Sequence, residues 1–459
     1  MGDNPSVESL DHLRRQWDAD VLADPTLGGE GCDRLLAWQM EHGACFDDRP
    51  LCRVLRPAFV TPTQLVRLEG ICRRLMAAIR QVRIHITAGD DWLDRLGLMP
   101  AVRKLVAIDP GFEKIGITTR LDAFEDGSAF SFVELNAEAP AGIAYHDLLA
   151  RMFRDMNPME RLRQHAEVRP LRVVGWLLQA LLTTYNEWGR GAGKPRIAIV
   201  DWRTSPTTPE FHLLAQAFGR AGYPTVVADP RDLELRHGRL WAGDFRIDLV
   251  YRRVLVVDCA ARPEDVATLV EAARQRAVCM VNPFRTAILH RKRLFAELTD
   301  PTSPVDLRPE ERATIDQCIP WTRLVRDIRT TGPAAEGAPT IDLLDYIRQG
   351  REHLVLKPDD AYGGRGVFLG WQMDAQAWEA ALDEAQAAHY VVQDRVPLPT
   401  REFPVMGQDR QSDMFLMDRD PYVFRGRMGG FLTRLAVGPL ANVTRGGGMV
   451  PTFVVGSGT

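Results

Sequence analysis

The chain has 459 residues, of which 45% are hydrophobic and 26% charged, and its formal net charge is -4. This composition is that of an ordinary globular protein and excludes a mainly disordered, fibrous or collagen-like chain. Without a net positive charge, sequence-independent binding of nucleic acid is not expected. At about 150 residues per domain, the length allows two to four domains.

Neither a membrane span nor a metal-binding cysteine motif is visible in the sequence. No stretch of about 18 uninterrupted apolar residues occurs, and the first residues lack the basic and apolar segments of a secretion signal. We therefore predict a cytoplasmic protein that does not bind membranes. The seven cysteines form no C-x-x-C pair, which predicts reduced core thiols rather than a structural zinc site. They are Cys32, Cys45, Cys52, Cys72, Cys259, Cys279 and Cys318.

Residues 1–104 are predicted to form a mostly helical N-terminal region. The segment from Thr61 to Gln64 has the pattern of a capping box with proline at the first helical position. Apolar residues then recur at spacings of three and four, which predicts one buried helix face with no chemistry of its own. These residues are Leu65, Leu68, Ile71, Leu75, Ile79 and Val82.

Residues 166–285 are predicted to contain a small α/β domain with a parallel sheet. From about residue 195 onward, a buried strand, a helix ending in glycine and two further strands follow one another. The loop 203–209 lacks the glycine pattern of a dinucleotide site, so we expect a Rossmann-like shape without that function. At the end of the third strand, Arg252 and Arg253 either line a carboxylate pocket or form ion pairs at a strand end.

A first group of candidate site residues lies in the segment 116–138. Arg120 and Asp122 are two residues apart, as are Glu134 and Asn136, so each pair lies on one strand face. A two-residue hairpin turn would put the pairs on opposite faces, whereas a three-residue turn would put all four side chains on one face. Carboxylate and amide oxygens beside a guanidinium suit Mg²⁺ that holds phosphates. The alternative is a hairpin with a solvated polar face.

A second group combines a lysine with a glycine cluster. Lys357 lies at the end of a predicted strand, and Gly363, Gly364 and Gly366 follow within ten residues. Backbone N–H groups of such glycines can approach phosphate oxygens, although a glycine-rich turn between strands has the same pattern. Because only five of the 57 basic residues are lysines, a lysine at this point indicates a need for a compact charge. A strand ending at Gln393 is a weaker candidate, for contact with an adenine base.

Arginines and glycines also concentrate in the C-terminal segment. In a strand-rich region they suggest anion contacts near backbone amides, although a β-meander with glycine turns is the alternative. The residues concerned are Arg425, Arg427, Arg434, Asn442 and Arg445, with Gly429, Gly430 and Gly446 to Gly448.

The order of these groups resembles that of a known family. A helix carrying Lys292, a strand carrying Lys357 before a glycine loop, and a strand ending at Gln393 are similar to the succession in ATP-grasp ligases. The Arg-x-Asp and Glu-x-Asn pairs precede Lys292 by about 150 residues. This displacement resembles the circularly permuted members of the family, which include the synthetase domain of glutathionylspermidine synthase. The resemblance covers roughly residues 105–459. It also favours the three-residue turn in the segment 116–138, because the family requires all four polar side chains on one face.

The resemblance implies a fold and a division of the chain. The fold class is α/β with α+β elements: a circularly permuted ATP-grasp with a Rossmann-like pre-ATP-grasp domain and a helical N-terminal region. The implied segments are 1–104 for the helical region, 105–165 for the permuted metal-binding part, 166–285 for the pre-ATP-grasp domain, and 286–459 for the lysine, glycine-loop and C-terminal subdomains.

The resemblance also implies a role for each candidate residue. Mg²⁺ would be bound by Asp122, Glu134 and Asn136. ATP would be bound by Lys292 and Lys357 at its phosphates, by Gly363, Gly364 and Gly366 over them, and by Gln393 beside the adenine. Arg120 and Arg434 would face the transferred γ-phosphate or the acyl phosphate formed from it.

The activity implied is that of an ATP-dependent ligase that joins a carboxylate to an amine through an acyl phosphate. Its substrates would be small-molecule or peptide carboxylates and amines. The alternative is a catalytically degenerate ATP-grasp module that binds nucleotide and acts with a partner protein. Asp359 and Asp360, directly before the glycine loop, depart from a phosphate-binding pattern unless they point away or bind a second metal. The substrates and the oligomeric state are not predicted.

Overall fold

The computed structural model describes residues 7–89, 93, 98–127, 129–191, 193–333, 339–361, 364–407, 411–438 and 448–457. The predictions for Gly363, Asn442, Arg445, Gly446 and Gly447 lie outside this part of the chain. The helices are α1 (Val7–Ala23), α2 (Gly29–His42), α3 (Pro62–Ile86), α4 (Pro100–Val106), α5 (Ile143–Arg154), α6 (Asn157–Arg163), α7 (Val173–Trp188), α8 (Thr208–Arg220), α9 (Val256–Ala261), α10 (Ala267–Arg274), α11 (Ala287–His290), α12 (Arg293–Thr299), α13 (Pro309–Cys318), α14 (Leu343–Gln349) and α15 (Ala375–Ala387).

The strands belong to several separate sheets. They are β1 (Cys45–Phe46), β2 (Arg49–Pro50), β3 (Ala58–Val60), β4 (Thr118–Asp126), β5 (Ala129–Asn136), β6 (Ala166–Pro170), β7 (Ile197–Val200), β8 (Thr225–Ala228), β9 (Leu233–Arg236), β10 (Arg239–Ala242), β11 (Phe245–Ile247), β12 (Leu249–Arg252), β13 (Cys279–Val281), β14 (Thr322–Leu324), β15 (Arg329–Thr331), β16 (Thr340–Asp342), β17 (Leu354–Pro358), β18 (Phe368–Leu369), β19 (Tyr390–Asp394), β20 (Thr400–Pro404), β21 (Ser412–Phe424), β22 (Arg427–Ala436), β23 (Gly448–Val450) and β24 (Thr452–Ser457).

The largest sheet, called here the six-stranded sheet, joins two distant parts of the sequence. Its order is β23-β22-β21-β4-β5, and β20 pairs with β21 beside this path. The hairpin of β4 and β5 therefore lies against strands that follow it by almost 300 residues, with Phe124 of β4 opposite Asp418 of β21. Side chains on one face of these strands can meet although they are far apart in sequence.

The β4–β5 hairpin brings its polar side chains to one face by a different route from the predicted one. Asp126 pairs with Ala129, so two residues connect the strands, and the predicted three-residue turn is wrong. The register then shifts directly after Asp122, where β5 contains one extra residue. Because of this bulge, Asp122 lies opposite Glu134, and Arg120 lies opposite Asn136. The four side chains therefore lie on one face of the hairpin, which confirms the predicted common face.

The predicted parallel sheet is present. Its order is β13-β12-β7-β8, and all neighbouring strands run in the same direction. Because the strands are parallel, their carboxyl ends lie at one edge, where Arg253 and the loop 201–207 follow β12 and β7.

Lys357 and Gln393 lie in a third sheet of order β14-β19-β17-β18, called here the lysine sheet. β17 and β19 are antiparallel, with Lys357 opposite Val391 and Val355 opposite Gln393. The two polar side chains therefore share a face, because directly paired residues and residues two apart point the same way.

The N-terminal helices pack as their apolar pattern predicts. Thr61 and Gln64 form the predicted capping box, and five of the six residues of the apolar stripe on α3 are buried. All seven cysteines are free and buried, as predicted for core thiols. In the described ranges, no helix is both long enough and apolar enough to cross a bilayer.

Candidate active site

One cavity of about 650 Å³ lies where the six-stranded sheet, the lysine sheet and the carboxyl edge of the parallel sheet meet. This volume is in the range of sites for nucleotides and other small molecules. Nine of the eleven predicted site residues line it: Arg120, Asp122, Glu134, Asn136, Lys292, Lys357, Gly364, Gln393 and Arg434. Gly366 is described but is not among the lining residues, and Gly363 lies outside the described residues.

Asp122 lies at the centre of a buried charge network on the six-stranded sheet. Arg120 donates two hydrogen bonds to it, from Nε to Oδ1 at 2.7 Å and from Nη2 to Oδ2 at 2.9 Å. Arg434 reaches the same Oδ2 atom from β22, also at 2.9 Å. Burial alone would raise the pKa of Asp122, but the two guanidinium groups hold this pKa below its usual value. Asp122 is therefore ionised at neutral pH.

Two further carboxylates, Asp418 and Asp420 on β21, complete this network and were not predicted. Arg434 Nε donates to Asp418 Oδ2 at 2.8 Å, and Arg434 Nη2 lies 2.9 Å from Asp420 Oδ2. The second contact is a charge pair without hydrogen-bond alignment, because Asp420 Oδ2 has no hydrogen-bond donor among the described residues. Burial raises the pKa of Asp420 well above its usual value, with Arg434 opposing this shift and Asp122 adding to it.

Glu134 and Asn136 form the cavity side of the β4–β5 hairpin. Asn136 Nδ2 donates to Asp122 Oδ1 at 2.9 Å and to Glu134 Oε1 at 3.2 Å, so two carboxylates converge on one point. Burial would raise the pKa of Glu134, but Lys292 and Lys357 hold it below its usual value. In the described part of the chain, no group of three or more His, Cys, Asp and Glu side chains is placed to hold a metal ion. A metal bound here would need ligands from outside this group.

Lys292 lies between two short helices. The prediction of one helix that contains it is therefore wrong. α11 ends at His290, Arg291 is extended, and Lys292 is the N-cap residue of α12. Lys292 Nζ lies 3.3 Å from Glu134 Oε2 and donates to Ala361 O at 2.7 Å. The break in the helix therefore aims the ammonium group at both the hairpin and the start of the glycine segment.

Asp359 explains this break. Its Oδ2 atom accepts hydrogen bonds from Arg291 Nε at 2.7 Å and from Arg293 Nε at 2.8 Å. Its carbonyl oxygen accepts from Lys292 N at 2.9 Å. Asp359 is thus buried in contacts that tie the lysine sheet to the two helices, and it points away from the cavity. Asp360 is exposed.

Lys357 and Gln393 form a hydrogen-bonded chain along the lysine sheet. Lys357 Nζ donates to Gln393 Oε1 at 2.6 Å, and Gln393 Nε2 donates to Thr322 Oγ1 at 2.9 Å. Burial lowers the pKa of Lys357 to about 8, with Lys292 adding to the shift and Glu134 opposing it. The amine is therefore held in place and is charged only up to mildly alkaline pH.

If Lys357 binds the phosphates of ATP, as the resemblance implies, we expect the affinity for ATP to fall above pH 8, because the amine then loses its positive charge. In the free protein the ammonium form is present below its pKa of about 8 and is lost as the pH rises through that value. The Kd for ATP should be constant just above pH 7 and rise by up to about tenfold per pH unit well above pH 8. Isothermal titration calorimetry at a series of pH values measures this dependence.

The control for this prediction is Lys357→Arg, which keeps its charge over the whole range. Its Kd should change little between pH 7 and 9, whatever its absolute value. If the wild type and the variant changed in parallel, the titrating group would not be Lys357.

The glycines after Lys357 take backbone conformations that other residues rarely adopt. Gly364 has φ +70° and Gly366 has φ +66°. A Cβ atom at Gly366 would lie 2.9 Å from both Pro358 Cγ and Tyr390 Oη. Gly366 is therefore required for the close packing of the turn, whereas Gly364 reaches the cavity.

The two arginines at the end of β12 have different environments. Arg252 is fully buried and pairs with Glu138 at 3.1 Å, so it stabilises the domain and does not line the cavity. Arg253 lines the cavity, where its Nη1 donates to Pro140 O at 2.7 Å and to Tyr251 Oη at 3.0 Å. Its Nε atom is buried and has no hydrogen-bond partner among the described residues.

The N-terminal region also reaches the cavity, which its apolar pattern did not predict. Phe46 on β1 and Leu51, directly after β2, line the cavity wall. The carbonyl oxygen of Leu51 accepts a hydrogen bond from Met449 N at 2.9 Å, and Met449 pairs with Arg434 in the six-stranded sheet. The β1–β2 hairpin is thus attached directly beside Arg434.

Comparison with solved structures finds similar chains, among them the three that follow, whereas no family model and no curated protein matches the sequence. A glutathione synthetase-like effector from Globodera pallida superposes with a TM-score of 0.61 at 11% identity, over 95% of this chain and 98% of that chain. A candidate γ-glutamylcysteine synthetase from Methylobacillus flagellatus gives 0.41 at 13%, over 83% and 85%. A D-cycloserine synthetase gives 0.28 at 17%, over 44% and 59%. The first superposition is close enough to compare folds, and the other two are too distant. The chain therefore has the mixed α/β fold of the glutathione synthetase-like protein over nearly its whole length.

Proposed function

We propose that the chain is an ATP-dependent ligase of the ATP-grasp type, which joins a carboxylate to an amine and releases ADP and phosphate. One observation carries this proposal: two carboxylates and two lysines meet across one cavity. Asp122 and Glu134 lie on the six-stranded sheet, and Lys292 and Lys357 face them from the other side. Such an arrangement suits a polyphosphate that a divalent cation holds against carboxylates.

The donor set fits Mg²⁺. Asp122 and Glu134 are ionised, and both already contact the amide of Asn136, whose oxygen and nitrogen exchange places on rotation. Mg²⁺ is commonly bound by one or two carboxylates, with phosphates and water completing its coordination, so a larger protein cluster is not required. Bound there, Mg²⁺ would offset negative charge on the phosphates.

The side chains that line the cavity would have different roles in the reaction. Lys292 and Lys357 would bind the phosphates, and Arg120 and Arg434 would offset the charge that develops on the transferred phosphoryl oxygens. An oxygen of the substrate carboxylate forms a bond to the γ-phosphorus atom, and the bond to ADP breaks. The amine then attacks the carbonyl carbon, loses a proton, and phosphate leaves. Gly364 and its neighbours would cover the site and limit hydrolysis of the acyl phosphate.

The carboxyl edge of the parallel sheet is the proposed place of the second substrate. Arg253 provides a cation there, and its buried Nε atom can still donate a hydrogen bond. Small-molecule or peptide carboxylates and amines are the substrate class, and Gln393 would lie towards the nucleotide.

A thermal melt with ATP, with Mg²⁺ and with both tests the proposal. A ligand at a hundred times its Kd should add about 2.7 kcal/mol to the free energy of unfolding. We expect the full shift only with ATP and Mg²⁺ together, followed by ADP release on addition of a suitable carboxylate and amine. A nucleotide-binding module that acts with a partner is the alternative, and it predicts the shift without ADP release under any substrate panel. Absence of a shift would contradict both.

We also propose that the domain is circularly permuted, with 105–165 as its metal-binding part, 286–459 as its nucleotide-binding part, and a Rossmann-like pre-ATP-grasp domain at 166–285. The position of β4 and β5 beside β21 supports this proposal. The helical segment 1–104 would then be an addition that also contributes Phe46 and Leu51 to the cavity.

A further inference from the structure

A second, smaller cavity lies at the opposite edge of the parallel sheet. Its volume is about 140 Å³, and Asp248 and Ala277, which line it, come just before β12 and β13. The large cavity instead lies at the carboxyl ends of these strands. Four-residue strands place the two edges roughly 13 Å apart. The small cavity is therefore separate from the proposed active site.

Positive charge dominates this cavity. Arg190, Arg239 and Arg246 line it, against one carboxylate, Asp248. Arg246 Nε lies 3.3 Å from Asp248 Oδ1, and Asp248 Oδ2 also accepts a hydrogen bond from Arg196 N at 3.0 Å. Neither Arg190 nor Arg239 forms an ion pair with any residue that the structure describes. Among the described residues, these two guanidinium groups thus have no counter-charge.

Trp188, which lines the same cavity, carries a buried donor without a partner among the described residues. Trp188, the last residue of α7, is only 7% exposed and stacks on Tyr185 with ring centroids 6.1 Å apart. Its Nε1 atom is buried and has no hydrogen-bond partner among the described residues. An indole N–H can only donate, and leaving it unpaired is unfavourable. An acceptor that reaches it from the cavity would satisfy it.

The backbone that follows Trp188 passes very close to the side chain of Tyr185. A Cβ atom at Gly191 would lie 1.9 Å from Tyr185 Oη, so only glycine allows the chain to cross the tyrosine ring at this point. Gly191 directly follows Arg190 and lines the cavity with it. The close approach of Gly191 to Tyr185 therefore fixes the position at which the side chain of Arg190 enters the cavity.

We propose that this cavity binds a phosphate group, either as free phosphate or as the phosphate of a small monoester. A tetrahedral oxyanion accepts hydrogen bonds from arginine forks and from the indole N–H, and two uncompensated cations match its charge. A cavity of about 140 Å³ holds on the order of ten waters, which is enough for one phosphate group and too little for a nucleotide. The site does not depend on the proposed ligase activity.

Isothermal titration calorimetry with inorganic phosphate and with glycerol phosphate tests this proposal. Four variants are compared with the wild type. Lys357→Ala removes a cation of the large cavity, Arg239→Ala/Arg246→Ala removes two cations of the small cavity, and Trp188→Phe removes only the N–H donor. Arg274→Ala is the matched control, because Arg274 is an exposed arginine on α10 that pairs with Glu271 and does not line the small cavity.

We expect Arg274→Ala to bind phosphate as the wild type does, and Lys357→Ala to keep the binding at the small cavity. The double arginine variant should bind at least about tenfold more weakly, and Trp188→Phe severalfold more weakly. Raising the salt concentration should weaken binding in the wild type. The probe that binds more tightly identifies the form of the phosphate. Absence of binding in the wild type, or binding that is lost in Lys357→Ala and kept in the double variant, would overturn the proposal.

Discussion

Replacing Glu134 by alanine should abolish ATP-dependent turnover while leaving the protein folded. Glu134 provides one of two carboxylates at the proposed Mg²⁺ site, and its loss removes charge where the phosphates would be bound. Loss of one group that stabilises a developing charge typically lowers kcat by roughly 10²–10³-fold, and we expect at least this effect. ADP release in the presence of Mg²⁺, a carboxylate and an amine measures it.

The fold should survive the substitution because the side chain of Glu134 faces the cavity and is 27% exposed. Lys292 loses its ion pair in this variant but keeps its hydrogen bond to Ala361 O. Asp126→Ala is the matched control, since Asp126 is an exposed carboxylate at the tip of the same hairpin. It should leave turnover unchanged. Normal turnover in Glu134→Ala would exclude the proposed metal site.

The sequence predicted the residues of the site better than the route by which the backbone brings them together. Lys357 and Gln393 are recognisable because each is a polar residue at the end of an apolar strand. The common face of Asp122 and Glu134 was also predicted, but through a turn that does not occur. The bulge that actually produces it inserts Val133, and neither glycine nor proline marks this position.

Asp418 and Asp420 could not be recognised from the sequence as part of the site. They alternate with Arg419 in a strand of otherwise mostly apolar residues, a pattern that one solvated sheet face also produces. Their burial depends on the register between β21 and its neighbours β4 and β22, which are distant in sequence. The alternation itself was the available signal, but local patterning does not specify pairing over almost 300 residues.

Contacts between residues distant in sequence also explain why the single helix predicted around Lys292 is wrong. Its segment has the apolar spacing of a helix, and local propensity favours one continuous element. The tertiary contacts of Asp359 with Arg291 and Arg293 outweigh this preference and divide the segment into two short helices. The acidic residue that looked unfavourable beside a phosphate site is therefore the residue that positions Lys292.

Replacing Arg434 by leucine should destabilise the protein strongly, and more so at neutral than at acidic pH. Arg434 contacts Asp122, Asp418 and Asp420, and without it three buried carboxylates would face only Arg120. Removing one partner of a buried charge network costs about 3–5 kcal/mol. We expect a loss of this size at pH 7.5 in urea unfolding, together with loss of turnover.

The pH dependence follows from the direction of the carboxylate shifts. Burial already raises the pKa of Asp418 and of Asp420, and Arg434 is the first group that opposes both shifts. In the variant both pKa values should rise further, so the folded state binds protons that the unfolded state releases above about pH 4. The free energy of unfolding of the variant should therefore increase as the pH falls from 7.5 towards 5. The difference in this free energy between the wild type and the variant should become smaller.

Two further variants separate this effect from simple loss of packing. Adding Asp420→Asn to Arg434→Leu removes one uncompensated charge and should recover part of the lost free energy of unfolding at pH 7.5. Arg427→Leu, at an exposed position on the same strand β22, should change stability by less than about 1 kcal/mol. A deficit in Arg434→Leu that neither narrowed at low pH nor responded to Asp420→Asn would show that the arginine acts through its packing and not through its charge.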